Sequence, residues 1–128
     1  MVKVMVFGTF DNLHPGHMHF LKESRKHGDH LVLVLARDNT VEKIKHNKPL
    51  HDEHQRKSTI ESTGIVDKVL LGDEPASYRH IIEQKPDIIC LGYDQHSRDV
   101  EKVFPKIKFI RISSHYPEKY KSSKIRPK

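Results

Sequence analysis

The chain has one cysteine, Cys90, among 128 residues. A single thiol excludes an internal disulfide and any zinc site built from several cysteines. Long apolar runs are missing too, and none approaches the roughly 18 residues that a membrane-spanning helix requires. Apolar residues are scarce at 35%, or about 40% with the six glycines, against roughly 45–50% in globular domains on the same count. That is still far above disordered composition, and it suffices for one compact core. The start, Met1-Val2-Lys3-Val4-Met5-Val6-Phe7, alternates like a strand and has no small-residue cleavage site, so it does not read as a signal peptide. Internal repeats and low-complexity linkers are absent. The expectation is one soluble, cytoplasmic domain over residues 1–128.

The net charge of +6 is unevenly spread. Residues 105–128 hold eight Lys/Arg and one Glu, while residues 1–104 hold fifteen positive and sixteen negative side chains. A neutral body with a basic tail suits a polyphosphate ligand, whereas nucleic-acid binding favours a broader basic face. Both partners stay open on charge alone. The eleven histidines are scattered, which excludes a purification tag.

Strand-like and helix-like segments alternate with short connections. Strands are expected at Lys3–Gly8, His30–Ala36, Asp67–Leu71, Asp87–Leu91 and Ile107–Ile112. The unbroken run Leu31-Val32-Leu33-Val34-Leu35 suits a strand buried on both faces of a parallel sheet. Helices are expected at Gly16–His27, within Asp38–Pro49, and at His54–Thr63, Ala76–Gln84 and Ser97–Val103. Met18, Leu21 and Phe20 are the inward candidates of the first helix. This order predicts an α/β fold, a Rossmann-like doubly wound parallel sheet of five strands with right-handed crossovers. Ligands of such sheets bind beyond the carboxyl ends of the strands, where the strand order reverses.

The informative stretch is Gly8-Thr9-Phe10-Asp11-Asn12-Leu13-His14-Pro15-Gly16-His17. A strand ends in glycine, which lets backbone N–H groups approach a phosphate. Two histidines then flank Pro-Gly at a helix start, where the dipole favours anions. Spaced three apart, both rings can point at one spot and stabilise charge on a transferring phosphoryl group. The blander reading is a capped helix with two surface histidines. A zinc site is disfavoured, since no third ligand stands nearby.

Gly8-Thr9-Phe10-Asp11 followed by His14-Pro15-Gly16-His17 resembles the signature of the cytidylyltransferase-like nucleotidyltransferases. The resemblance extends over nearly the whole chain. It implies that Gly8, Thr9, Phe10, Asp11, His14 and His17 meet the nucleotide, with the two histidines catalytic. It also implies a phosphate-binding lysine after the second strand and an arginine about ten residues later. Lys45 and Arg56 fit those positions best and complete the catalytic set that the resemblance implies, with Lys48 as second candidate for the lysine, although a lysine-rich loop is otherwise just a solvated one. Gly92-Tyr93-Asp94-Gln95 matches a loop that meets the nucleotide through Gly92 and Asp94; alternatively Asp94 caps the next helix.

Tyr120-Lys121-Ser122-Ser123-Lys124-Ile125 aligns with the family's C-terminal motif, in which hydroxyl residues lie over the phosphates. Tyr120, Ser122 and Ser123 are the nucleotide-binding candidates there, and segment 113–128 is expected to close over the nucleotide. The arginine that opens this motif in cytidylyltransferases is absent; Lys119, Lys121 or Lys124 would replace its charge.

Ala36-Arg37-Asp38-Asn39-Thr40-Val41, Leu91-Gly92-Tyr93-Asp94-Gln95 and Lys119–Ile125 look like the archaeal type of FAD synthase. That resemblance implies transfer of AMP from ATP to FMN, with release of pyrophosphate. The alternatives are a CTP-dependent glycerol-3-phosphate cytidylyltransferase, then pantetheine-phosphate adenylyltransferase, and outside catalysis a nucleic-acid-binding domain. The implied cofactor is Mg²⁺ or another divalent ion, held mainly by phosphates and water with Asp11 nearby rather than by a protein-built metal site. A homodimer is the assembly that the family suggests.

Overall fold

The computed structural model describes residues 1–46, 48–73, 77–93, 95 and 98–113, and of residues 44 and 45 the backbone alone. The elements follow in the order β1 (Lys3–Gly8), α1 (Pro15–Arg25), β2 (His30–Leu35), α2 (Asp38–Lys45), α3 (Glu53–Ser62), β3 (Lys68–Leu71), α4 (Arg79–Gln84), β4 (Ile88–Leu91), α5 (Arg98–Val103) and β5 (Lys108–Arg111). Five parallel strands form one sheet in the order β3-β2-β1-β4-β5. The doubly wound α/β expectation is met, and the order reverses between β1 and β4.

The core explains the sequence pattern. Val4, Val6, Leu31, Leu33 and Leu35 turn to one face, where they meet Leu21 of α1 and Ile60 of α3. Met5, Val32, Val34, Ile89 and Leu91 turn to the other, against Ile81 of α4 and the partly buried Val100 and Phe104. Leu31–Leu35 are all buried because β2 lies between β1 and β3 with a helical layer on each side. On α1, Leu21 and Ser24 are the buried positions; Phe20 packs against the core edge and Met18 is half-buried. Cys90 lies in the first cluster, where burial pushes its thiol above the ordinary range.

Local chemistry sets the boundaries. Pro15 fits the first turn of α1, where a backbone N–H would have no helical partner anyway. Asp52 and Gln55 form a reciprocal capping box at the start of α3. α4 begins at Arg79, later than the residue pattern implies, with Tyr78 at its N-cap; the Ser77 hydroxyl accepts the Arg79 N–H at 3.2 Å. The expected start at Ala76 falls outside the described residues, as does Ser97 before α5.

Three aspartates bind the amino ends of the strands in one repeated pattern. Asp29 donates its N–H to the Val2 carbonyl and accepts the Val2 N–H on its carboxylate. Asp67 does the same with Leu31, and Asp87 with Lys3. The expected strands at 67 and 87 therefore start one residue later, after an aspartate that closes the edge.

Candidate functional site

At the opposite end of the sheet, β1 and β4 part company. Their ladder covers Val4–Ile88 and Met5–Ile89, whereas β1 pairs with β2 as far as Gly8–Leu35 and β4 with β5 as far as Leu91–Arg111. The divergence opens a cleft of about 770 Å³ at the reversal point, within the roughly 300–1,000 Å³ common for small-molecule sites. Its wall comprises the end of β1, the entry of α1, the loop after β4 and the residues that follow β5.

The loop from Gly8 to His14 is held in a demanding conformation. Phe10 and Asn12 have φ of 47° and 60°, a left-handed region that costs a non-glycine residue free energy. Burial of the Phe10 ring offsets that cost. A Cβ on Gly8 would lie 2.5 Å from that ring, so glycine is needed there. The Asp11 carboxylate accepts the backbone N–H groups of Leu50 (2.6 Å) and His51 (3.0 Å) and faces the His51 imidazole at 3.2 Å. Burial works to raise its pKa, but these N–H donors and His51 outweigh it and hold Asp11 below the ordinary carboxylate value. Asp11 thus fastens the loop to the segment before α3.

His14 and His17 converge, as their spacing implies. The His14 Nδ1 accepts the Gly16 N–H at 3.0 Å, which caps α1 and leaves Nε2 carrying the proton in the neutral ring. The two imidazoles stack with centroids 3.8 Å apart and planes 21° apart. The Phe10 ring meets His17 edge-on at 5.3 Å. A Cβ on Gly16 would press on the His14 ring at 2.9 Å. Both histidines line the cleft, beside the positive end of the α1 dipole. His14 is a cap and a cleft residue at once.

Other candidates fare differently. Gly8, Thr9, Phe10, Asp11 and Gly92 line the cleft. Arg56 is not among the residues that line it. It is 1% exposed, with Nε donating to the His51 carbonyl (3.1 Å) and its terminal nitrogens to the Thr9 carbonyl (2.9 Å) and the Asp38 carboxylate (2.7 Å). A buried guanidinium needs such partners, and here they lock α3 to the loop after β1. Lys45 ends α2, and its side chain lies outside the described residues. Lys48 is exposed and not part of the lining. Asp94, Tyr120, Ser122 and Ser123 lie outside the described residues.

Residue patterns alone did not single out His19 or the amide of Gln95. The His19 Nε2 donates to the Ser113 carbonyl at 3.1 Å, joining α1 to the chain leaving the sheet. The Gln95 side chain bridges β1 and β4. A third histidine two residues after His17 was the available signal for the first; nothing local marks the second. Among the described residues, no group of three or more His, Cys, Asp or Glu side chains is arranged to hold a metal ion.

Residues 5–128 match the family described as cytidylyltransferase-like. The FAD synthase of Aciduliprofundum boonei is 46% identical over 121 residues, covering 90% of this chain and 80% of that protein. The FAD synthase of Thermoplasma volcanium is 42% identical, covering 100% of this chain and 94% of its own length. A crystal structure described as the lipopolysaccharide core biosynthesis protein from Thermoplasma volcanium superposes with a TM-score of 0.83 at 43% identity, covering 90% and 98% of the two chains. Pantothenate synthetase from Thermus thermophilus shares the fold, with a TM-score of 0.63 at 12% identity over 88% of this chain and 56% of that one.

Proposed function

The chain belongs to the cytidylyltransferase-like family, and from that premise we propose that it is an FAD synthase that transfers AMP from ATP to FMN and releases pyrophosphate. The stacked His14–His17 pair in the cleft carries the chemical part of the reading; the relatives of that name carry the choice of substrates.

The reaction needs no protein nucleophile. A phosphate oxygen of FMN attacks the α-phosphorus of ATP, the new P–O bond forms in line, and the bond to pyrophosphate breaks. The protein's task is positioning and charge stabilisation. The His14 Nε2–H and the His17 ring donate to phosphate oxygens as negative charge builds on them. Gly8, Thr9 and Phe10 supply backbone around the triphosphate, and the α1 dipole adds a fixed positive field. Arg56 acts one step back, by fixing the Thr9 carbonyl and hence the loop. Lys45, Gly92, Asp94, Tyr120, Ser122 and Ser123 complete the nucleotide site, with segment 113–128 closing over it.

The residues suit a divalent ion that arrives on the phosphates rather than one caged by protein. Asp11 is the one carboxylate among the described lining residues, and its oxygens already accept two backbone N–H groups. When bound, such an ion neutralises charge on the departing pyrophosphate.

No helix among the described residues is long and apolar enough to cross a membrane, which is compatible with a cytoplasmic site of action. Exposed Tyr78, Ile82 and Val103 on and beside α4 and α5 are compatible with a homodimer.

The test is direct. Incubated with ATP, FMN and Mg²⁺, the protein is expected to form FAD and pyrophosphate, identified by mass. Formation of CDP-glycerol from CTP and glycerol 3-phosphate, with no FAD, would overturn the assignment.

A further inference from the structure

The gap between β1 and β4 is spanned by a side chain. Above Met5–Ile89 the two strands no longer pair with each other, although each keeps pairing with its outer neighbour. The Gln95 amide sits across this opening. Its Nε2 donates to the Phe7 carbonyl at 3.0 Å, and its Oε1 accepts the Gly92 N–H at 2.7 Å. A carbonyl only accepts and a backbone N–H only donates, so the two partners fix which end of the amide is which. Gln95 also donates its own N–H to the Gly92 carbonyl at 3.2 Å, and Arg111 donates to the same carbonyl at 2.7 Å. One primary amide therefore does what a ladder peptide would do, but at a wider strand separation.

We propose that Gln95 is a positioning residue for nucleotidyl transfer, an inserted amide that sets the width of the β1–β4 opening and thereby aims the Gly8–Phe10 backbone at the reacting phosphates. Phe7 leads directly into that backbone, and Gly92 leads into the opposite wall, so the two hydrogen bonds define the distance between the walls. Errors of about 1 Å in such placement can cost about 10²-fold in rate. For its kinetic consequence the inference rests on the FAD synthase reading; for its structural content it does not.

The experiment compares the full chain with Gln95→Met and Gln95→Glu. Methionine keeps approximate size and removes both hydrogen bonds. A glutamate carboxylate still accepts from Gly92 but places negative charge on the Phe7 carbonyl. The protonated acid restores a donor and an acceptor in the amide's arrangement. With FAD formation as readout, kcat of Gln95→Met is expected to fall roughly 10–100-fold while KM for ATP stays within about threefold. Gln95→Glu is expected to match that loss at pH 8 and to recover part of it, relative to wild type, as pH falls towards 5.5 and the carboxylate begins to protonate. Wild type and Gln95→Met define the baseline slope. Circular dichroism at each pH normalises rates to folded protein.

Amide hydrogen exchange on the same proteins gives a readout independent of catalysis. Exchange at Gly92 is expected to accelerate at least about tenfold in Gln95→Met and to remain slow in Gln95→Glu. Wild-type kcat in Gln95→Met overturns the positioning role. If wild type makes no FAD, the substrate assignment fails instead, and exchange at Gly92 and Phe10 decides the Gln95 inference: unchanged protection in Gln95→Met overturns it.

Discussion

The two ends of the sheet use the same backbone for opposite purposes. At the amino end, Asp29, Asp67 and Asp87 each exchange two hydrogen bonds with a neighbouring strand and close the edge, with Lys85 taking a positive φ two residues before Asp87. At the carboxyl end, β1 and β4 separate, two non-glycine residues take positive φ, and two imidazoles stack in the opening. One end is tied shut by hydrogen bonds, and the other is held open where a ligand can enter. Substitutions at the first should cost stability and spare turnover; those at the second should impair turnover or substrate binding, whether or not they also cost stability.

The sharpest separation is expected from His17→Ala. Loss of one preorganised donor lowers turnover by roughly 10²–10³, or about 3–4 kcal/mol in the barrier. FAD formation at saturating ATP and FMN measures it, and the thermal midpoint should move by no more than a few degrees. A smaller effect is expected from Gly8→Ala, whose Cβ would meet the Phe10 ring at 2.5 Å. Overpacking of this kind costs roughly 1–3 kcal/mol, and here KM for ATP should rise along with it. Thermal unfolding and steady-state kinetics on the same sample report both.

Asp67→Ala tests the other end. It removes the carboxylate that accepts the Leu31 N–H and pairs with Arg25. Because water can reach this edge, the loss should be about 1–2 kcal/mol in urea unfolding, low in the range for an unsatisfied donor. Turnover should stay at the wild-type value; a tenfold drop would dissolve the contrast between the ends.

The smallest effect concerns pH. Asp11 is held below its ordinary value of 3.8, so its loop contacts contribute stability above that pH and lose it as pH falls through the folded-state value. Wild type should be a few tenths of a kcal/mol more stable than Asp11→Asn at pH 6, the scale of a modest hydrogen-bond gain. The difference should shrink towards zero by about pH 2, as followed by thermal midpoints.

β1 to β4 were legible because each is an apolar run bounded by glycine or aspartate, and in β2 burial on both faces leaves little choice of period. The His14–His17 pair was legible for a related reason: both residues sit in one turn, so spacing alone brings them together. The surroundings of Arg56 were not legible because they are tertiary. Its partners Thr9 and Asp38 lie 47 and 18 residues away, and they decide whether a guanidinium faces ligand or protein. Gln95 could not be read as a bridge until β4 was known to lie beside β1, since Phe7 is 88 residues distant. The positive φ of Phe10 leaves no mark in composition either, since an aromatic is a poor candidate for that conformation.

The aspartate closures also bear on the order in which the chain can assemble. Asp29 and Asp67 reach back 27 and 36 residues, but Asp87 reaches back 84 to Lys3. By loop-closure entropy alone, the longest of these costs about 1 kcal/mol more than the shortest. During synthesis β1 is therefore an outer strand until β4 arrives, with the backbone of Val4 and Met5 open to pairing with any other extended chain. The cleft has no second wall in that interval. A ribosome-bound or truncated chain ending before Ile88 would carry β1, α1, β2 and β3 but leave one edge of β1 unpaired, so the closure that brings β4 beside β1 is also the one that covers that edge.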